Sequence, residues 1–87
     1  MTPVQVAALE KFLAHQGFVY YDYDKISGLV IYSFTMGDWT LRVAFGDECY
    51  YCIDNEVTKE SNCKEFTKVG EVMVEYDKLC YLTVGVT

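Results

Sequence analysis

Carboxylates recur at two-residue spacing in two segments of this chain. They are Asp22 and Asp24 in the first, and Glu71, Glu75 and Asp77 in the second. Alternate residues of a β-strand project from one face, so this spacing predicts two strands that each carry an anionic face. In Glu71–Asp77 the intervening Val72, Val74 and Tyr76 are apolar, which predicts a dry opposite face. Successive carboxylates on such a strand stand about 6.6 Å apart. That step is comparable to the spacing of backbone phosphates, so an acidic sheet can occupy a groove built for nucleic acid. The chemistry on offer is recognition of cationic groups rather than bond making.

The other reactive residues support no catalytic constellation. His15 is the single histidine and falls in the last turn of a predicted helix, where a cation complements the helix dipole. Ser27, Ser33 and Ser61 lie outside any Gly-x-Ser-x-Gly elbow, and no Gly-rich phosphate loop is present. One His and one Arg (Arg42) leave few groups for acid–base or oxyanion work. The chain reads as a binding protein, not an enzyme, and no cofactor is expected.

Four cysteines remain: Cys49, Cys52, Cys63 and Cys80. Cys49 and Cys52 have C-x-x-C spacing, and the four together are the one candidate zinc set. Against it stand the two bulky tyrosines between Cys49 and Cys52 and the strand character of the segment, which sends i and i+3 to opposite faces. Small buried apolar side chains are the reading adopted for all four.

Composition bounds the partner. Eighty-seven residues make one domain. The chain is 52% hydrophobic and 16% aromatic, which excludes disorder. Its net charge is −6, from thirteen Asp plus Glu against seven Lys plus Arg. That balance argues against direct binding to nucleic acid or to an acidic membrane, both of which need clustered cations. It favours a basic protein surface. No targeting segment or membrane-length apolar run is visible, so the cytoplasm is the expected compartment, that of the host if the chain is phage-encoded.

Periodicity supplies the elements that would position these groups. Thr2-Pro3 starts a helix, Val6, Leu9, Phe12 and Leu13 give it one apolar stripe, and Gly17 ends it, predicting helix Pro3–Gln16. Strands are predicted at Phe18–Asp24, Leu29–Thr35, Trp39–Phe45, Glu48–Ile53, Gly70–Asp77 and Leu79–Val86, with short links that demand antiparallel neighbours. Leu29–Thr35 is apolar enough to be covered on both faces. In Trp39–Phe45 the residues Trp39, Leu41, Val43 and Phe45 face the core, while Thr40 and Arg42 face out. A short second helix is placed near Lys59–Lys68. The expected fold is α+β: an N-terminal amphipathic helix packed on a five- to six-stranded antiparallel meander.

Eight tyrosines are too many for so small a core. Tyr20, Tyr21 and Tyr23, interleaved with Asp22 and Asp24, therefore join Glu71, Glu75 and Asp77 as the expected partner-binding residues. In size, charge and aromatic content the chain is similar to phage inhibitors of anti-CRISPR or anti-restriction type, which block the nucleic-acid-binding surface of a defence enzyme. It is similar in the same respects to immunity or antitoxin proteins that cap a basic nuclease. A small structural subunit that self-associates, for instance as a homodimer through an open sheet edge, is the reading from another class.

Overall fold

The computed structural model describes residues 2–85, with side chains described for residues 2–81. Its elements run α1 (Pro3–His15), β1 (Val19–Asp24), β2 (Leu29–Met36), β3 (Trp39–Phe45), β4 (Cys49–Asn55), β5 (Ser61–Glu65) and α2 (Val69–Gly85). The α+β fold with an N-terminal helix and an antiparallel meander is as expected from the sequence. Its five strands lie in sequence order, β1-β2-β3-β4-β5.

Helix α1 begins with a full capping box. The Thr2 hydroxyl accepts from the Gln5 backbone N–H, and the Gln5 side chain accepts in return from Thr2. It ends in a Schellman motif: Phe18 N–H reaches the Leu13 carbonyl and Gly17 N–H reaches Ala14. This closure needs a left-handed residue, and Gly17 supplies it at φ +88°. Leu9 and Leu13 lie one turn apart and are fully buried.

The hairpins follow their turn residues. Met36 pairs with Trp39, so β2 and β3 are joined by Gly37-Asp38 alone, with positive φ at Gly37 and not at Asp38. That is the pattern of a type II′ turn. Between β4 and β5, the buried Asn55 folds the chain back. Its Oδ1 accepts from Val57 and Thr58 backbone N–H, both at 2.9 Å.

Two predicted elements change identity at the C-terminal end. The region 59–68 is not helical: Ser61–Glu65 is β5, paired along β4 from Tyr50↔Glu65 to Asp54↔Ser61. The predicted strands Gly70–Asp77 and Leu79–Val86 are instead the single helix α2, and Val86 lies outside the described residues. The alternation in Glu71–Asp77 imitates a strand, but Val69, Val72, Tyr76 and Leu79 also recur at helical spacing. Val72 and Leu79 are buried, while Val74, which the strand reading buried beside Val72, is exposed. Asp77-Lys78 continues the helix where a turn was expected. An open pair of terminal strands would leave α1 alone to cover a wide sheet. Folding the segment as a helix brings a second apolar stripe onto the same face.

Both helices cover one face of the sheet. The core joins Leu9 and Leu13 of α1, Val72 and Leu79 of α2, Leu41, Val43 and Phe45 of β3, Tyr51 of β4, and Phe18 and Phe66 from the links. An aromatic cluster seals it. Tyr76 of α2 stands with ring centroids 6.0 Å from Phe12, 5.8 Å from Phe18 and 5.4 Å from Phe34. Trp39–Phe45 occupies the predicted boundaries, with Leu41, Val43 and Phe45 buried. Strand β2 differs from expectation: among the described residues no helix lies over its Ile31, Ser33 and Thr35, which line shallow hollows.

Candidate protein-binding surface

A β-bulge in β1 decides which side chains reach the surface. Tyr20 pairs with Tyr32 and Asp22 with Ile31, so Tyr21 is the extra residue. Before the bulge, Tyr20 sits on the covered side, its ring 6.0 Å from that of Tyr32. After it, Tyr23 opposes Val30, again on the covered side. Tyr21, Asp22 and Asp24 fall on the uncovered side with Val19. The bulge thus resolves a segment in which strict alternation assigns no consistent inner face.

The strand is an edge strand and its side chains are wet. Val19 is 67% exposed, Tyr20 57%, Tyr21 61% and Tyr23 47%. A run of tyrosines with one backbone edge open to solvent is a surface suited to partner contact, through ring burial and through added strand hydrogen bonds. Asp22 and Asp24 project from the same side, as the two-residue spacing implies. Asp22 accepts from the Tyr23 backbone N–H at 2.8 Å. Asp24 holds the hairpin turn by accepting from Ile26 N–H at 2.9 Å. The Ser27 hydroxyl and that amide keep its carboxyl below the ordinary carboxylate value.

The carboxylates of the C-terminal segment do not continue this surface. On α2 they no longer share a pleated face. Glu71 is bound at the helix start, where its Oε2 accepts from Thr67 N–H at 2.7 Å and Lys68 N–H at 3.1 Å. This is the carboxylate half of a capping box, and those two amides hold its pKa low. Glu75 is partly buried and lies near the Tyr51 hydroxyl. Its Oε1 also lies 3.6 Å from Lys78 Nζ. Burial, then the Glu75 charge, pushes the Tyr51 pKa up. Asp77 is exposed on the helical side, beside Val74, Lys78 and Tyr81. The expected single anionic sheet face is therefore replaced by separate groups: Asp22 and Asp24 at one edge, Glu71 and Glu75 in structural contacts, and Asp77 on the outer flank of α2.

The uncovered face carries features that sequence reasoning missed. Tyr21 leans over two shallow hollows. One, of about 280 Å³, is lined by Ile31, Arg42, Ala44, Tyr50, Cys52 and Cys63 as well as Tyr21. The other, of about 340 Å³, includes Ser33, Thr35, Thr40, Arg42 and Asp54. Arg42 pairs with Asp54 between them. Asp54 also accepts from the Ser61 hydroxyl at 2.6 Å, and the Ser61 and Arg42 contacts hold its pKa low.

The cysteines divide differently from every arrangement expected. Cys52 and Cys63 oppose each other in the β4–β5 register and form a disulfide, with Cα atoms 4.0 Å apart. A zinc site made of Cys49, Cys52, Cys63 and Cys80 is thereby overturned, because two of its four sulfurs are bonded to each other. The reading of all four as small apolar core side chains fails as well: Cys63 is exposed. Strand assignment of Ser61–Glu65 was the missing signal, since only then do positions 52 and 63 face each other. Among the described residues no cluster of three or more His, Cys, Asp or Glu side chains could hold a metal ion, and no helix is long and apolar enough to cross a membrane.

Comparison of the chain with protein-family models, with curated proteins and with solved structures yields no match, so the surface itself carries the functional reading.

Proposed function

We propose that this chain is a small protein-binding module that blocks a basic surface of its target, such as the nucleic-acid-binding surface of an enzyme that a phage inhibitor would occupy. The observation that carries the reading is the exposed Val19-Tyr20-Tyr21-Asp22-Tyr23 run on an open sheet edge. Tyrosines supply contact area at low entropic cost, and the neighbouring carboxylates select cationic partners. With Glu71 held as a surface cap of α2 and Glu75 partly buried beside Lys78, the contact surface narrows to β1 and the bulge. The test compares proteins retained from a native-host lysate by the wild-type chain and by the triple variant Tyr20→Ala, Tyr21→Ala, Tyr23→Ala. Support is a basic nucleic-acid-binding protein retained by the wild type alone, whose affinity falls as salt rises. Equal retention by both chains refutes the assignment of β1.

Self-association is the second reading, favoured by the same open edge. Pairing of β1 with β1 of another copy would bury the tyrosines without a foreign partner. Light scattering from 5 to about 500 μM separates the two. A dimer that the triple variant abolishes supports self-assembly.

A further inference from the structure

We propose that the Cys52–Cys63 disulfide is a thiol–disulfide exchange site, attacked at Cys63 by a small-molecule thiolate of the glutathione class. Three observations support it. The bridge lies on the face of the sheet that no described helix covers, and its two residues are unequal: Cys63 is exposed and Cys52 is buried. The hollow between Tyr21, Tyr50 and the bridge gives a thiolate room to approach. Arg42 is the ladder partner of Cys52 and lines the same hollow.

These place the parts of an exchange reaction in order. A thiolate enters and bonds to Sγ of Cys63, the exposed residue of the pair. The Cys52–Cys63 bond breaks and its electron pair leaves on Cys52 as a thiolate, across the ladder from Arg42, whose guanidinium is also paired with Asp54. A cation there lowers the pKa of the departing thiol, and a better leaving thiolate departs faster. A second thiolate then attacks the sulfur of the small molecule in the mixed disulfide. The oxidised small-molecule disulfide departs, and two protons from solvent complete the Cys52 and Cys63 thiols. Two electrons pass from the small thiols to the protein. Reversal with the oxidised small molecule restores the bridge.

Strand β5 gives the exchange a structural consequence. None of its residues, Ser61 to Glu65, is buried. What holds it is the ladder to β4, the Ser61–Asp54 hydrogen bond, the bridge itself and the buried Phe66 that follows it. Opening the bridge loosens β5 and bares the backbone edge of β4.

The experiment incubates the native, full-length chain with reduced glutathione at neutral pH without denaturant. Samples are quenched in acid, alkylated and mapped by peptide mass spectrometry, while hydrogen exchange follows the backbone. The expected first product is a glutathione adduct on Cys63, followed by loss of the bridge. Amides of residues 61–65 should then exchange at least about tenfold faster, with β2 and β3 unchanged. Arg42→Gln should slow the first step by at least about threefold, and Arg42→Lys should restore most of the rate. A first adduct on Cys52, or a bridge that opens only in denaturant, overturns the proposal. An Arg42→Gln rate equal to wild type removes the role given to Arg42. Should Arg42→Gln fail to fold, the adduct position in the wild-type chain still decides the site of attack.

Discussion

Lys78→Pro tests whether Val69–Gly85 is one continuous helix. Lys78 lies in the middle of α2, and its side chain is 66% exposed, so the substitution disturbs no packing. Proline at this position removes the backbone hydrogen bond to the carbonyl of Val74 and drives its ring against that carbonyl. The cost in a helix interior is about 3 kcal/mol or more. The lost Lys78–Glu75 pair adds little, because its lysine is exposed, its N···O distance is 3.6 Å, and helical side-chain pairs contribute on the order of 0.2–0.5 kcal/mol. Lys78→Ala isolates that small part. Against a total stability of roughly 5–15 kcal/mol for a domain of this kind, the proline variant should lose about a fifth to three fifths. Each kcal/mol displaces the melting temperature by about 4–8 °C at this size, so Lys78→Pro should melt about 12 °C or more below Lys78→Ala. Urea unfolding followed by far-UV circular dichroism gives the free energies. Had Asp77-Lys78 been a hairpin turn, proline would be tolerated there. A difference between the two variants below about 0.5 kcal/mol would show the helix assignment to be wrong.

Other consequences are as direct. Leu41 is fully buried at the centre of β3, so Leu41→Ala should cost about 2–5 kcal/mol in chemical denaturation. Removing the bridge by Cys52→Ala with Cys63→Ala frees an 11-residue connection in the unfolded chain and should lower stability by about 3 kcal/mol; an unchanged urea midpoint would contradict this. Tyr51 has its pKa raised above 10.0 by burial and by Glu75. Its contribution is complete below pH 10 and is lost as pH climbs through the higher folded-state value, so Tyr51→Phe should flatten the alkaline limb of a stability–pH curve. Asp54 is shifted the other way, below 3.8, first by the Ser61 hydroxyl and then by Arg42. Its contribution is present above that value and disappears as pH falls through the lowered one, so Asp54→Asn should flatten the acid limb.

The first half of the fold was legible in the sequence because its signals are local and agree with one another. Thr2-Pro3 and Gly17 bracket α1, and Gly37-Asp38 admits only a tight hairpin. The alternation of Trp39–Phe45 points the same way as its burial. The last third is ambiguous in the sequence because Glu71–Asp77 satisfies two periods at once. Seven residues of alternation outweighed the longer helical series from Val69 to Leu79. Glu71, spaced to serve as a capping carboxylate, has the look of surface charge when the segment is taken as a strand. Residues 59–68 were ambiguous for another reason. A strand with no buried side chain has no hydrophobic pattern to announce it, and β5 exists because β4 offers an edge. The candidate surface was half legible: Asp22, Asp24 and the tyrosines share one strand, but the bulge that sorts them, and the bridge that faces them, depend on pairings far apart in the chain.

The extra residue at position 21 also bears on how this chain behaves at high concentration. Phe18–Asp24 is aromatic and rich in strand formers, the composition that stacks into fibres when it can lie flat against copies of itself. Stacking requires an unbroken repeat along the strand. Two residues standing against one in the ladder twist the border of the sheet and throw its outward hydrogen-bonding groups out of step. Deleting Tyr21 would restore an even repeat and keep Phe18 on its present side, at the price of a straight, sticky rim. A kink that presents a tyrosine therefore also serves as a guard against fibrils.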